Sequence, residues 1–351
     1  MCFLCFVLIQ HALMQHQSQS EGTCAKKQVE SSGDMVQDAV NDNLPSVYEK
    51  GDGPIIGILS QETYLVAKYF SEEHDSYIAA SYVKFLESSG ARVIPVWIGQ
   101  NKDYYRRVVN YTNGILFPGG GTYFNESGGY GEAAQTIYSL AVEANNKGRY
   151  YPVWGTCLGM QVLGFVAAGE DIRVDCSLKN KAIPLDFVEG FENSRLFKKA
   201  PEDIISILNK YNVTFNYHSY CLTREVLERN GILSDWKILS TNKDEYDFEF
   251  ISSMESTQYP IYGVQFHPEK NQFEFGKKQI PHDDEAVKIS HYFSDFFVDE
   301  CRKSPGKFPN EAMEKEAFIY NYSPKYTGRA NGSFEQIYVF DKEDFDKVQL
   351  T

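Results

Sequence analysis

The run Val153-Trp154-Gly155-Thr156-Cys157-Leu158-Gly159-Met160-Gln161 constrains this chain more than any other segment. An apolar, strand-like stretch meets a glycine, a cysteine and a second glycine, and a helix-like pattern follows. That layout fits a cysteine held on a tight strand-to-helix turn, with its sulfur exposed and the first helical amides beneath it, by analogy with the serine nucleophile elbow. A thiol at a helix N-terminus has a lowered pKa and is more often thiolate. The same amides can stabilise an oxyanion. The competing reading is a buried core cysteine; the flanking glycines favour the nucleophile.

A cysteine nucleophile needs a base, and the base needs an orienting partner. Both are offered by Ile261-Tyr262-Gly263-Val264-Gln265-Phe266-His267-Pro268-Glu269. Ile261 to Phe266 reads as a buried strand ending at His267, where Pro268 stops it. In an extended segment side chains two apart share a face, so Glu269 would grip one imidazole nitrogen while the other faces Cys157. A third element, Gly114-Ile115-Leu116-Phe117-Pro118-Gly119-Gly120-Gly121, is a short apolar strand opening into glycines whose amides can approach a ligand closely. Gly120 is the candidate second oxyanion donor beside the amide of Leu158. An ordinary strand-ending turn is the alternative.

Around these motifs the chain alternates strand and helix. Ile55 to Leu59, Arg92 to Trp97 and Gly114 to Phe117 read as buried strands. Ile78, Tyr82 and Phe85 recur at helical spacing, with Gly90 as a stop; Asp103 to Asn110 is a short helix; Ala133, Ile137, Leu140, Ala141 and Ala144 mark a helix face. After Cys157 the period changes. Thr214 to Tyr217, Trp236 to Ser240 and Phe248 to Ser252 read as strands joined by hairpin-type connections, and Ala286, Ile289, Phe293, Phe296 and Phe297 form a stripe on a late helix. The expected fold is α/β: a doubly wound, mostly parallel sheet flanked by helices, with antiparallel additions in the second half. Ligands on such sheets bind at the carboxyl ends of the strands, where Cys157, His267 and the glycine loop all fall. The aromatic-rich tail after Cys301 is expected to pack back on the domain.

Three motifs in this order resemble the class I glutamine amidotransferase superfamily, and within it the gamma-glutamyl hydrolase (folylpolyglutamate hydrolase) branch. The resemblance is carried by Pro54 to Leu59, Tyr77 to Lys84, Gly114 to Gly120, Pro152 to Gly159, Tyr262 to Glu269 and the late segment Ile319 to Gly328, which ordinary amidotransferase domains lack. It implies cysteine-dependent cleavage of γ-glutamyl peptide bonds in poly-γ-glutamylated folates, with Cys157 as nucleophile, His267 as base and Glu269 as orienter. It implies substrate-binding roles for Tyr82, His218 and Gly119, and suggests a homodimer. Core packing is the alternative role for Tyr82 and for His218. One departure is Gln161: the branch often carries an acidic residue four after the cysteine, and glutamine there resembles the glutaminase branch. Gln161 is a substrate-binding candidate or a surface helix residue. A glutaminase-type domain supplying ammonia to a partner is therefore the alternative function. The implied chemistry requires no metal or organic cofactor.

The chain has 351 residues and a formal net charge of −14, which argues against generic nucleic-acid or anionic-membrane binding. A polyanionic substrate then demands a locally basic or amide-rich site. Arg195, Lys198 and Lys199 are candidates, with a solvated surface as their competing home. The apolar start, Met1 to Ile9, is too short to span a bilayer and has the length of a signal-peptide core, although it lacks a basic lead and a clean cleavage site. The expected organisation is a signal peptide over 1–20, a disordered leader or pro-segment over 21–53, and one catalytic domain over 54–345. Sequons at Asn110, Asn125, Asn212 and Asn331 fit a secretory, lysosomal or vacuolar route; a fifth, Asn321, is the poorest because Pro324 follows its serine. Of the seven cysteines, Cys2 and Cys5 sit in the apolar leader, and no other pair or His/Cys cluster has zinc-site spacing. Cys157 is expected to be free and reactive, and the state of the others stays open.

Overall fold

A computed structural model describes residues 53–347 apart from position 331. Its strands in chain order are β1 (Ile55–Leu59), β2 (Ser76–Ala79), β3 (Arg92–Val96), β4 (Gly114–Phe117), β5 (Val153–Thr156), β6 (Val174–Ile183), β7 (Asp186–Phe187), β8 (Thr214–Cys221), β9 (Trp236–Lys243), β10 (Glu249–Ser256), β11 (Ile261–Val264), β12 (Lys325–Tyr326) and β13 (Gln336–Phe340). The helices are α1 (Ala80–Glu87), α2 (Lys102–Tyr111), α3 (Tyr130–Asn146), α4 (Leu158–Ala168), α5 (Glu202–Lys210), α6 (Arg224–Arg229), α7 (Lys270–Phe273), α8 (Asp284–Arg302), α9 (Glu311–Ala317) and α10 (Lys342–Lys347).

The continuous apolar runs become the parallel half of an eight-stranded sheet of order β3-β1-β4-β5-β11-β10-β9-β7. Strands buried on both faces must be apolar throughout, and every residue of β1, β4, β5 and β11 is buried. Helices flank the sheet in two packed groups, α2, α3 and α4 in one and α1, α5, α7 and α8 in the other. The second half adds β10, β9 and β7 antiparallel, with β9–β10 as a hairpin. The expected α/β architecture with late antiparallel strands is the one observed. The stripe on α8 buries Ala286, Ile289, Phe293 and Phe297 and leaves Phe296 half-buried.

Register aligns the strand ends that matter. Thr156 of β5 lies opposite Val264 of β11, and Cys157 N–H donates to the Val264 carbonyl at 2.7 Å. Phe117, the end of β4, lies opposite Gly155. The segments after β4, β5 and β11 therefore emerge side by side on one rim.

Three expectations are corrected. The helix read from Ile78 begins at Ala80, because Ser76–Ala79 is drawn into a strand that pairs with β13, Ala79 against Ile337. That pairing also shows the tail packing back on the domain. The strand read from Thr214 to Tyr217 continues to Cys221 and pairs with β6 in a separate two-stranded ribbon, cross-linked by the Cys176–Cys221 disulfide. A disulfide of this kind persists in oxidising compartments. The strand read from Ile261 to Phe266 stops at Val264.

Asn110, Asn125 and Asn212 are exposed, whereas the Asn321 side-chain nitrogen donates to three backbone carbonyls of its own turn. Asn331, the signal peptide expected over 1–20 and, but for Gly53, the leader expected over 21–53 lie outside the described residues. Among the described residues no helix is long and apolar enough to cross a membrane.

Candidate active site

Cys157 occupies the hinge between β5 and α4 with φ 52° and ψ −106°. This left-handed backbone is costly for any residue with a Cβ and is held only by its surroundings. The neighbours explain the hold. A Cβ on Gly159 would come 1.9 Å from the Phe117 carbonyl oxygen, so only glycine lets α4 settle on β4 directly after the turn. The Cys157 side chain is almost fully buried, not exposed as the elbow analogy suggested, and is reached through a cavity of about 880 Å³ whose floor it forms with Leu158.

The strand has already ended at Val264, before Pro268, and the residues after His267 form a turn rather than an extended segment. Glu269 has αR dihedrals and leads into α7. The turn still brings Glu269 Oε1 to 2.8 Å from His267 Nδ1, with both side chains buried. Nε2 is left as the ring nitrogen for the sulfur, and Cys157 lies close enough to raise the imidazole pKa. Burial alone would drive the imidazole neutral; the Glu269 carboxylate, the sulfur and the hydrogen bond to Glu269 outweigh it and lift its pKa to about 9. Burial likewise opposes a charged Glu269, and the His267 imidazolium overrides it, holding the carboxyl below its usual range.

A Cβ placed on Gly119 would lie 2.7 Å from His267 Cε1, 2.7 Å from the Tyr82 hydroxyl and 3.2 Å from Cys157 Cβ, which fixes how tightly these groups converge. Tyr82 lies behind the base, not in the cavity lining. Its hydroxyl accepts from Gly119 N–H at 2.8 Å and sits 3.3 Å from His267 Nδ1. Tyr82 and Gly119, expected at the substrate, therefore form the backing of the histidine. With the Gly119 amide occupied, Gly120, which does line the cavity, remains the glycine-loop candidate to join Leu158 at an oxyanion. Gln61, which sequence patterning did not single out, braces this loop by donating to the Gly119 carbonyl at 2.9 Å.

Gln161 is buried rather than on the surface. Its Nε2 donates to the Tyr220 carbonyl at 2.7 Å and to Gln265 Oε1 at 3.3 Å, and Gln265 Nε2 in turn donates to Cys157 Sγ at 3.5 Å. Gln265 was legible only as part of an apolar run; a lone glutamine near the end of that run was its signal. His218 lines the cavity from β8. Its Nδ1 lies 3.3 Å from the Cys176 carbonyl, burial depresses its pKa to about 4, and its Nε2 is buried without a partner.

The positive charge expected near the substrate is present on other residues. Lys68, Arg173, Lys270 and Lys277 line the cavity against a single acid, Glu274, although the chain has 34 Lys and Arg to 48 Asp and Glu. Arg195 instead donates to the Ser256 and Tyr259 carbonyls, and Lys198 and Lys199 are exposed outside the cavity. Lys270 adjoins the His-Pro-Glu tripeptide and was within reach of sequence reasoning. Arg173 carried no local signal.

The Peptidase C26 family model matches residues 54–269. The gamma-glutamyl hydrolase of Rattus norvegicus is 40% identical over 85% of this chain and 93% of its own length. The human gamma-glutamyl hydrolase is 41% identical, covering 82% and 90%. Gamma-glutamyl hydrolase B of Dictyostelium discoideum is 35% identical, covering 88% and 90%. With a cysteine, a histidine and a glutamate converging beneath one cavity at the end of a parallel sheet, and with relatives matched over most of their length, this chain belongs to the gamma-glutamyl hydrolase family, Peptidase C26.

Proposed function

We propose that the protein hydrolyses γ-glutamyl peptide bonds of poly-γ-glutamylated folates through a thioester acyl-enzyme. The observation that carries this reading is the buried Cys157–His267–Glu269 array at the base of a cation-lined cavity. Cys157 Sγ attacks the γ-carbonyl carbon, and the developing oxyanion lies against the amides of Leu158 and Gly120. The C–N bond breaks as His267 Nε2 gives its proton to the departing α-amino group. Water then adds to the thioester carbonyl, His267 takes its proton, and Cys157 leaves as thiolate. Glu269 keeps the ring oriented and its charge compensated throughout.

His218 and Gln161, both in the cavity wall, are the proposed substrate contacts outside this array. The Cys176–Cys221 disulfide and exposed sequons at Asn110, Asn125 and Asn212 support glycosylation and a lysosomal, vacuolar or extracellular location. A homodimer is the proposed assembly.

Gln161 is the one feature that favours the glutaminase reading, so the test carries both substrates. Incubation with a defined poly-γ-glutamyl chain should release glutamate or shorter chains, seen by mass spectrometry, while free glutamine should yield little ammonia. Ammonia release outpacing γ-peptide cleavage would overturn the proposal, as would Cys157→Ala cleaving as fast as the parent.

A further inference from the structure

The four cations of the cavity are not equivalent. Lys68 and Lys277 are exposed, and flexible solvated lysines discriminate weakly. Lys270 is buried with Nζ 4.5 Å from the Phe334 ring centroid, and its charge opposes the upward push of burial on the Glu269 and Glu274 carboxyls, though burial still leaves Glu274 raised. Its charge is already committed inside the protein. Arg173 differs. Its guanidinium lies 3.9 Å from the Phe124 ring centroid and 5.2 Å from that of Tyr220. Asp171 accepts from Nε at 2.9 Å and from Nη2 at 2.7 Å. Among the described residues that leaves Nη1 as the nitrogen without an acceptor, on a side chain only 12% exposed that lines the cavity.

A guanidinium held against two aromatic rings and bonded along one edge to a carboxylate has little rotamer freedom left to lose, so it binds an anion at less ordering cost than a free arginine meets. Its place in the fold ties it to the reaction. It directly precedes β6, whose Asp175 pairs with Tyr220 of β8. The Tyr220 carbonyl holds Gln161, and the next residue, Cys221, is in the disulfide. His218, with its unpartnered Nε2, stands on the same strand.

We propose that Arg173 is a specificity-determining residue that takes a free α-carboxylate of the γ-glutamyl chain, the group that distinguishes a γ-linked glutamate from an uncharged acyl donor. This rests on the proposed function. An extended γ-linked chain offers one such carboxylate per residue, and Arg173 selects for it by a charge-assisted hydrogen bond from Nη1.

The test uses the full chain and two synthetic poly-γ-glutamate peptides, one with free α-carboxylates and one with every α-carboxylate converted to the carboxamide. Wild type should prefer the carboxylate form in kcat/KM by about 10–100-fold, the range of a hydrogen bond to a charged group. R173Q should lose most of this preference while cleaving the carboxamide peptide at close to the wild-type rate. R173K, which keeps the charge but not the ring-held fork, should be intermediate; it gives the same readout if R173Q fails to fold. Equal cleavage of both peptides by wild type, or an unchanged ratio in either variant, overturns this inference and leaves the proposed function standing. No cleavage of either peptide by wild type overturns the proposed function and this inference with it.

Discussion

Removing the carboxylate that orients the base gives the sharpest test of the array, because it moves a pKa that the structure fixes in direction and size. His267 is lifted from its ordinary value of 6.5 to about 9, which corresponds to ~3 kcal/mol of preference for the imidazolium in the folded protein. Burial works against this, and Glu269 supplies the largest opposing contribution. In Glu269→Gln the burial remains and the main compensating charge is gone, so the pKa should fall to about 6.5 or lower. The proton that His267 gives to the leaving amine is then scarce at alkaline pH. At about pH 8 the protonated fraction drops from ~0.9 to ~0.03, a loss of about 30-fold from protonation alone. At about pH 5 the ring is protonated in both proteins and only the lost orientation remains, a deficit of a few-fold. The assay is kcat/KM for a γ-glutamyl peptide across the pH range, with parent and variant matched for folded fraction. The alkaline limb should move from about 9 toward 6.5 or below, and the ratio of rates should converge in acid. Identical alkaline limbs in the two proteins would refute the ion-pair account. The same linkage acts on stability. A folded pKa raised above the unfolded one means the contribution is full below about 6.5 and is lost as pH rises through about 9. Glu269→Gln should therefore flatten the decline in stability over that alkaline window, as followed by denaturant titration.

Three further outcomes are expected. Cys157→Gly should abolish hydrolysis yet equal or exceed the parent in stability, by up to ~1 kcal/mol in urea titration, because glycine relieves the positive φ at the hinge. Cys176→Ala with Cys221→Ala opens a link spanning 45 positions; the chain-entropy relation gives a loss of about 4 kcal/mol, and KM should rise because the ribbon carries His218 and borders Arg173. Gln265→Leu removes the amide donor to the sulfur, and should slow both hydrolysis and iodoacetamide labelling of Cys157 about 10-fold with a smaller effect on melting temperature.

The parts of the site that were legible in the sequence are those whose chemistry is local. A glycine on each side of Cys157, and a proline and glutamate directly after His267, write their geometry into a few consecutive residues. Strand runs such as Ile55 to Leu59 are equally explicit, since burial on both faces leaves no place for a polar side chain. What was missed depends on pairing across long distances. Ser76–Ala79 has a helical apolar period and becomes a strand only because the chain returns as β13 more than 250 residues later. Arg173 gains its role from Phe124, Tyr220 and Asp171, two of them remote in sequence, whereas Arg195 turned out to be bonded to backbone carbonyls. Tyr82 was expected at the substrate, but its hydroxyl accepts from the Gly119 amide and sits against His267 instead.

Several departures from ordinary folding rules gather on one rim of the sheet. Cys157 holds a backbone conformation that L-residues avoid. His267 and Glu269 are charged in a site where burial opposes each charge. Among the described residues, Glu269 Oε2, Gln61 Oε1 and His218 Nε2 are buried without hydrogen-bond partners. The strained hinge and the unpartnered atoms each cost stability, on the order of 1–3 kcal/mol, whereas the His267–Glu269 pair offsets the burial of its own charges. Their concentration within reach of one sulfur is what a fold tolerates when the cost is offset elsewhere, here by fully buried parallel strands and by a glycine that seats α4 on β4. The strained hinge is therefore a feature the surrounding core is built to hold, and Cys157→Gly, which relaxes it, should stabilise the protein as it silences it.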